Sequence, residues 1–207
     1  MIVCVEGVNG SGKTTLAGAL LGMWTYGHAR AIDPVQHTVF GDTVRTAIMA
    51  ATGLMADAET LAFASARLHT AGMLAATRCP PMTELLVLER WAGAVVAYGT
   101  VAGASPFLLR ALEGSLAGAL PVDVTVLVDV PGDVAEARLK RLGDRNRFET
   151  LGGGYLERVR RQYLAWASIR QVPVINGQQD MATVAGQVAR LISDRVAASG
   201  HTTKESA

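Results

Sequence analysis

Residues 5–16 read VEGVNGSGKTTL, and within them Gly7-Val8-Asn9-Gly10-Ser11-Gly12-Lys13-Thr14 fits the phosphate-loop pattern G-x-x-x-x-G-K-S/T in full. The run before it, IVCVE at 2–6, has strand character, and a helical period begins at Lys13. Motif and context therefore agree. Glycines let backbone wrap closely round a phosphate chain, while successive N–H groups and a helix N-terminus supply partial positive charge. Lys13 adds a full charge near a transferring phosphate. The Thr14 hydroxyl, followed by Thr15, suits Mg²⁺, which bridges phosphate oxygens and offsets their charge. The plain alternative is a glycine-rich strand-to-helix turn with no ligand.

Working outward, short β-branched runs alternate with segments of helical period: IVCVE, then 13–26; LLVLE, then 90–118; VTVLVDV, then 131–142; VPVIN, then 181–197. That rhythm predicts an α/β fold, a parallel sheet with helices on both faces. A shorter strand is expected at 29–32, with helices at 41–52 and 57–76 after it. The second carries Leu61, Ala64, Leu68 and Ala75 at helical spacing and is stopped by Pro80 and Pro81. Residues 1–197 read as one domain with a lid at about 142–152, and 198–207 as a flexible tail.

The chain has 207 residues, half of them hydrophobic, enough for a full core. With 19 basic and 18 acidic residues the net charge is +1, so no global field recruits a nucleic-acid polymer or a membrane surface. Any anion must be met locally. Cys4 and Cys79 suggest neither a disulfide framework nor a zinc cluster, which fits a reducing cytoplasmic setting. MIVCVEGVNG lacks the basic and long apolar regions of a secretory signal, and no apolar run is long enough to span a membrane. His28, His37, His69 and His201 have no metal-ligand spacing, and Met23, Met49, Met55 and Met73 read as core fillers.

Three further segments carry chemistry. LLVLE ends in Glu89-Arg90-Trp91, at the sheet edge where open α/β folds bind ligands. Glu89 could hold Mg²⁺, and Arg90 could present a planar fork to a phosphate. EARLKRLGDRNRFE crowds Arg138, Arg141, Arg145 and Arg147 around a Gly-Asp turn. Either a basic lid over a nucleotide or a solvated helix end would look so. Phe63 and Arg67 lie four apart on one helix face, an aromatic platform beside a guanidinium that suits a planar heterocycle.

With these segments in order, the sequence resembles the thymidylate kinase family of nucleoside monophosphate kinases from the first residue to about residue 195. VEGVNGSGKTTL resembles its phosphate loop, LAFASARLH its base-contacting helix and LERWAGAVVAY its Asp-Arg segment. PVDVTVLVDVPGDVAEARLKR, RFETLGGGYLERVRRQYLAWA and VPVINGQQDMATVAGQVARLI are similar to its later strands, lid end and helices. The resemblance implies a P-loop NTPase fold, three layers α/β/α around a five-stranded parallel sheet, and transfer of the ATP γ-phosphoryl group to a deoxynucleoside 5′-monophosphate. It places Lys13 on the ATP phosphates, Thr14 on Mg²⁺, Arg90 on the acceptor phosphate, Phe63 against the base, Arg67 at the base edge and Tyr98 on the sugar side. Arg147, with Arg145 beside it, would be the lid arginine. It also implies a homodimer.

The departures from that pattern gather on the acceptor side. Asn9 stands for a loop Asp, Glu89 for the strand-end Asp, and Ala94 and Gly99 for a Ser and a Gln near the base. The Arg-Glu-Pro turn becomes Ile32-Asp33-Pro34, and Arg30 could replace the lost arginine only if the strand is offset. These losses keep two rivals open. A deoxynucleoside kinase would use Asp33 as general base on a sugar 5′-OH. It matches Asp33-Pro34-Val35 and Glu89-Arg90, but residues 59–70 lack its base-reading glutamine. A non-catalytic nucleotide-binding protein is the second rival, and the intact Lys13, Thr14, Arg90 and Arg147 argue against it.

Overall fold

The computed structural model describes residues 1–76, 84–143 and 152–201. Pro80, Pro81, Cys79, Arg145, Arg147, most of the expected lid and the end of the tail lie outside them. The sheet has five parallel strands in the order β2-β3-β1-β4-β5: β1 Ile2–Glu6, β2 Ala29–Ile32, β3 Leu85–Glu89, β4 Val124–Asp129 and β5 Val174–Asn176. Between and after them run α1 Lys13–Met23, α2 Val39–Ala50, α3 Ala56–Ala76, α4 Ala92–Ala102, α5 Pro106–Ala119, α6 Gly132–Leu142, α7 Gly152–Arg170 and α8 Met181–His201.

Strand alternation divides the core. Ile2 and Cys4 of β1, with Leu86 and Leu88 of β3, face one layer containing Ala64, Val95 and Leu112. Val3 and Val5, with Leu85 and Val87, face the other, containing Leu16, Leu20, Val188 and Ile192. The three-layer α/β/α architecture is therefore observed. A third cluster joins Leu127 to Ala94, Ala135, Leu156 and Tyr163 where α4, α6 and α7 meet.

Two expectations change. The helical segment at 90–118 is two helices, because Gly103 in a left-handed conformation closes α4 and Pro106 opens α5 at its first turn. The buried stripe of α3 is rotated from the Leu61-Ala64-Leu68-Ala75 reading. It runs through Thr60, Ala64, Arg67, Ala71 and Leu74, and Leu61 is exposed. Polar Thr60 and Arg67 point inward because they border a cleft. No helix among the described residues is long and apolar enough to cross a membrane.

Candidate active site

The turn after β1 shows why this sequence forms a phosphate loop. Gly7 and Gly10 have φ of 148° and 79°, and a Cβ on Gly10 would lie 2.5 Å from the Ala135 carbonyl oxygen. The loop can therefore tuck beneath α6. Gly12 turns the chain into α1, and the Lys13 ammonium, buried, folds back to donate to the Val8 carbonyl at 2.7 Å and Ser11 Oγ at 3.3 Å. Burial, and then the nearby Arg90 charge, push the Lys13 ammonium well below the usual lysine range. A phosphate would relieve both effects.

Beside the loop, the Thr14 hydroxyl donates to Glu89 Oε2 at 2.6 Å, so the two residues expected at the metal are in contact. Their oxygens fit Mg²⁺, a hard cation that usually takes one or two protein ligands alongside phosphate oxygens and water. Arg90 follows with φ of 69°, unusual for a non-glycine residue, and its guanidinium donates to Asn9 Oδ1. The Tyr98 hydroxyl donates to the same oxygen at 2.9 Å and accepts from the Asn9 N–H at 3.2 Å. The amide at position 9 thus organises an arginine and a tyrosine without a negative charge of its own.

These groups border one cleft of about 590 Å³, whose walls also carry Asp33, Gln36, Arg45, Met49, Glu59, Thr60, Phe63, Arg67, Ala94, Gly99, Arg138 and Arg141. Phe63 and Arg67 do share its wall. Arg67 is buried and donates to the Phe63 carbonyl at 3.2 Å, while its Nε has no partner among the described residues. Burial pulls the Arg67 guanidinium down from its ordinary value. Asp33 caps its own turn, accepting from the Val35 N–H at 2.9 Å and from Gln36 Nε2 at 3.1 Å. Arg30 does not replace the arginine missing at Ile32, for it lies near the start of β2 and pairs with Glu84 at 3.8 Å.

Arg138 serves as a clasp in this structure, donating to the Ser11 carbonyl at 3.4 Å and the Gly177 carbonyl at 2.9 Å. Of the expected core methionines, Met23, Met55 and Met73 are exposed and Met49 lines the cleft. Arg45 and Thr60 had no motif to reveal them, since only the folding of α2 and α3 against the loop brings them to the cleft. Glu6 was also missed, although it is the lone charge in an apolar strand. It is completely buried.

A phosphate loop and an arginine-rich pocket sharing the carboxyl edge of a parallel sheet define a P-loop phosphotransferase of the nucleotide kinase type. The thymidylate kinase family matches residues 5–188, and the chain belongs to that family. It is an ATP-dependent nucleoside monophosphate kinase. The thymidylate kinase of Thiobacillus denitrificans is 30% identical over 203 residues, covering 93% of this chain and 96% of that protein. That of Nitrobacter hamburgensis is 30% identical over 218 residues, covering 98% and 92%. A probable thymidylate kinase of Pyrobaculum aerophilum is 28% identical over 193 residues, covering 92% and 95%.

Proposed function

We propose that this kinase transfers the γ-phosphoryl group of MgATP to dTMP, or to a related or modified deoxypyrimidine 5′-monophosphate, giving the diphosphate and ADP. The observation that carries this reading is the Arg90-Asn9-Tyr98 cluster, a guanidinium held beside the phosphate loop where an acceptor phosphate would meet it. Loop N–H groups from Gly7 to Thr15 and the Lys13 ammonium would bind the ATP phosphates. Thr14 and Glu89 would hold Mg²⁺, which when bound neutralises charge on the phosphate oxygens.

On the acceptor side, Arg90 orients the monophosphate, Phe63 packs on the base and Arg67 donates to its edge. Tyr98 and Asp33 form walls, and Arg145 and Arg147 would close over the transferring group from the lid. An acceptor that already bears a phosphate needs no alkoxide formed by a strong base. Asp33, occupied by its own turn, then acts as a wall. The family resemblance supports a homodimer, a cytoplasmic setting and a single domain over 1–197.

A panel of nucleosides and 5′-monophosphates assayed with MgATP tests the reading. Phosphorylation of dTMP and not thymidine is expected, and the reverse would establish the nucleoside kinase. Arg90→Ala should raise the acceptor KM by about 10- to 100-fold, the scale of a lost charge-assisted hydrogen bond, with the ATP KM within about threefold. Equal loss on both substrates would remove Arg90 from the acceptor site.

A further inference from the structure

Glu6 is completely buried at the end of β1, and none of the steps above uses it. Its Oε1 accepts from the Trp91 N–H at 2.8 Å and the Cys4 thiol at 3.7 Å, and its Oε2 accepts from the Tyr163 hydroxyl at 3.2 Å. Each of these three groups among the described residues can donate to a Glu6 oxygen. Trp91 is the N-cap of α4 and has no side-chain cap of its own, so Glu6 supplies an oxygen at a helix N-terminus. Gly93 permits the approach, because a Cβ there would lie 2.9 Å from Oε1 and 2.8 Å from the Trp166 ring.

The bond from the Trp91 N–H adjoins Arg90. Arg90 holds φ of 69° between two backbone anchors, its own N–H donating to the Val5 carbonyl at 3.0 Å and the next N–H donating to Glu6. A left-handed arginine persists only where its surroundings determine it. The Tyr163 ring also packs edge-on against Tyr98, centroids 6.1 Å apart, so the same carboxylate reaches the second partner of Asn9.

We propose that Glu6 is a positioning residue of this kinase, a latch that aims the Arg90 guanidinium into the cleft by holding the Trp91 N–H. The proposal rests on Arg90 as the acceptor-phosphate group. Glu6 touches no substrate and acts through the Arg90-Trp91 turn. Its amide analogue could still offer Oε1 to Trp91, with the Tyr163 hydroxyl rotating to accept from the new NH₂. An apolar side chain of similar length could not.

Glu6→Met should therefore raise the acceptor KM by about tenfold or more, as misplacing a positioning group does, with the ATP KM within about threefold. Glu6→Gln should recover most of that loss, leaving the acceptor KM within about threefold of the parent. An unchanged acceptor KM in Glu6→Met, or an equal rise for both substrates, overturns the latch. If Glu6→Met does not fold, the Trp91 amide proton decides. In the parent it should resonate downfield, exchange slowly with solvent and shift in Glu6→Gln, and a fast-exchanging Trp91 amide overturns the proposal. A parent enzyme that phosphorylates no 5′-monophosphate would instead sink the reading of Arg90, and the amide signal would still report on the latch.

Discussion

The Lys13 ammonium is held against its own loop, its charge disfavoured first by burial and then by Arg90. Phosphate oxygens would favour that charge and draw its pKa back toward the ordinary lysine value. Between the two values, nucleotide binding takes up protons by linkage. Calorimetry of ATP binding at alkaline pH, in two buffers of different ionisation enthalpy, should show this uptake, and Lys13→Met should abolish it. Proton release would contradict the assignment. At Asp33, the amide of Asp33→Asn keeps an oxygen for the Val35 N–H, so kcat should remain within about fivefold. A general base would instead cost about 10²- to 10⁴-fold. At this scale the sequence was most legible where a motif fixes both residue and backbone. Thr14 and Glu89 are hydrogen-bonded, and Lys13 lines the same cleft. Glu6 and Arg45 depend on tertiary approach and left no comparable mark.

The helices behind the site are joined by a polar tie that periodicity could not reveal. Glu113 of α5 accepts from Trp166 Nε1 at 2.8 Å and from Arg170 Nε and Nη2 at 2.8 and 2.7 Å, both on α7. Burial pushes the Glu113 carboxyl up, but the bonds from Arg170 and Trp166 outweigh it and hold the group below its ordinary 4.5. A lowered carboxyl pKa means this stabilisation is complete above about 4.5 and is lost as pH falls through the folded value. Glu113→Ala should cost about 1–2 kcal/mol at neutral pH, with Arg170 half-exposed and so partly screened. In a chain of this size that lowers Tm by about 2–8 °C. A thermal melt with no shift at pH 7 would show the tie to be idle. The rotated stripe of α3 teaches the same lesson: Thr60 and Arg67 face inward for the cleft, and a search for apolar spacing passes over them.

For the whole molecule, alternating strands and helices were enough to predict the parallel three-layer fold, since strands buried on both faces must be apolar throughout. The strand order, and with it the meeting of α2, α3, α4 and α6 at one cleft, required the structure. If donor and acceptor phosphates converge there, a compound linking adenosine and thymidine through an oligophosphate should bind better than either half. At a concentration about 100-fold above its Kd it should add about 2.7 kcal/mol of stability. That corresponds to roughly 5–10 °C in Tm. A linked compound that shifts Tm no further than ADP at the same concentration would place the two sites apart.

The amide at Asn9 has a last consequence. With no carboxylate there, the described cleft walls carry six basic side chains, Lys13, Arg45, Arg67, Arg90, Arg138 and Arg141, against Asp33, Glu59 and Glu89. A chain of net charge +1 therefore confronts small solutes as a concentrated polycation. Sulfate, inorganic phosphate and pyrophosphate should then compete for the cleft, and turnover measured in sulfate against chloride at equal ionic strength would show it.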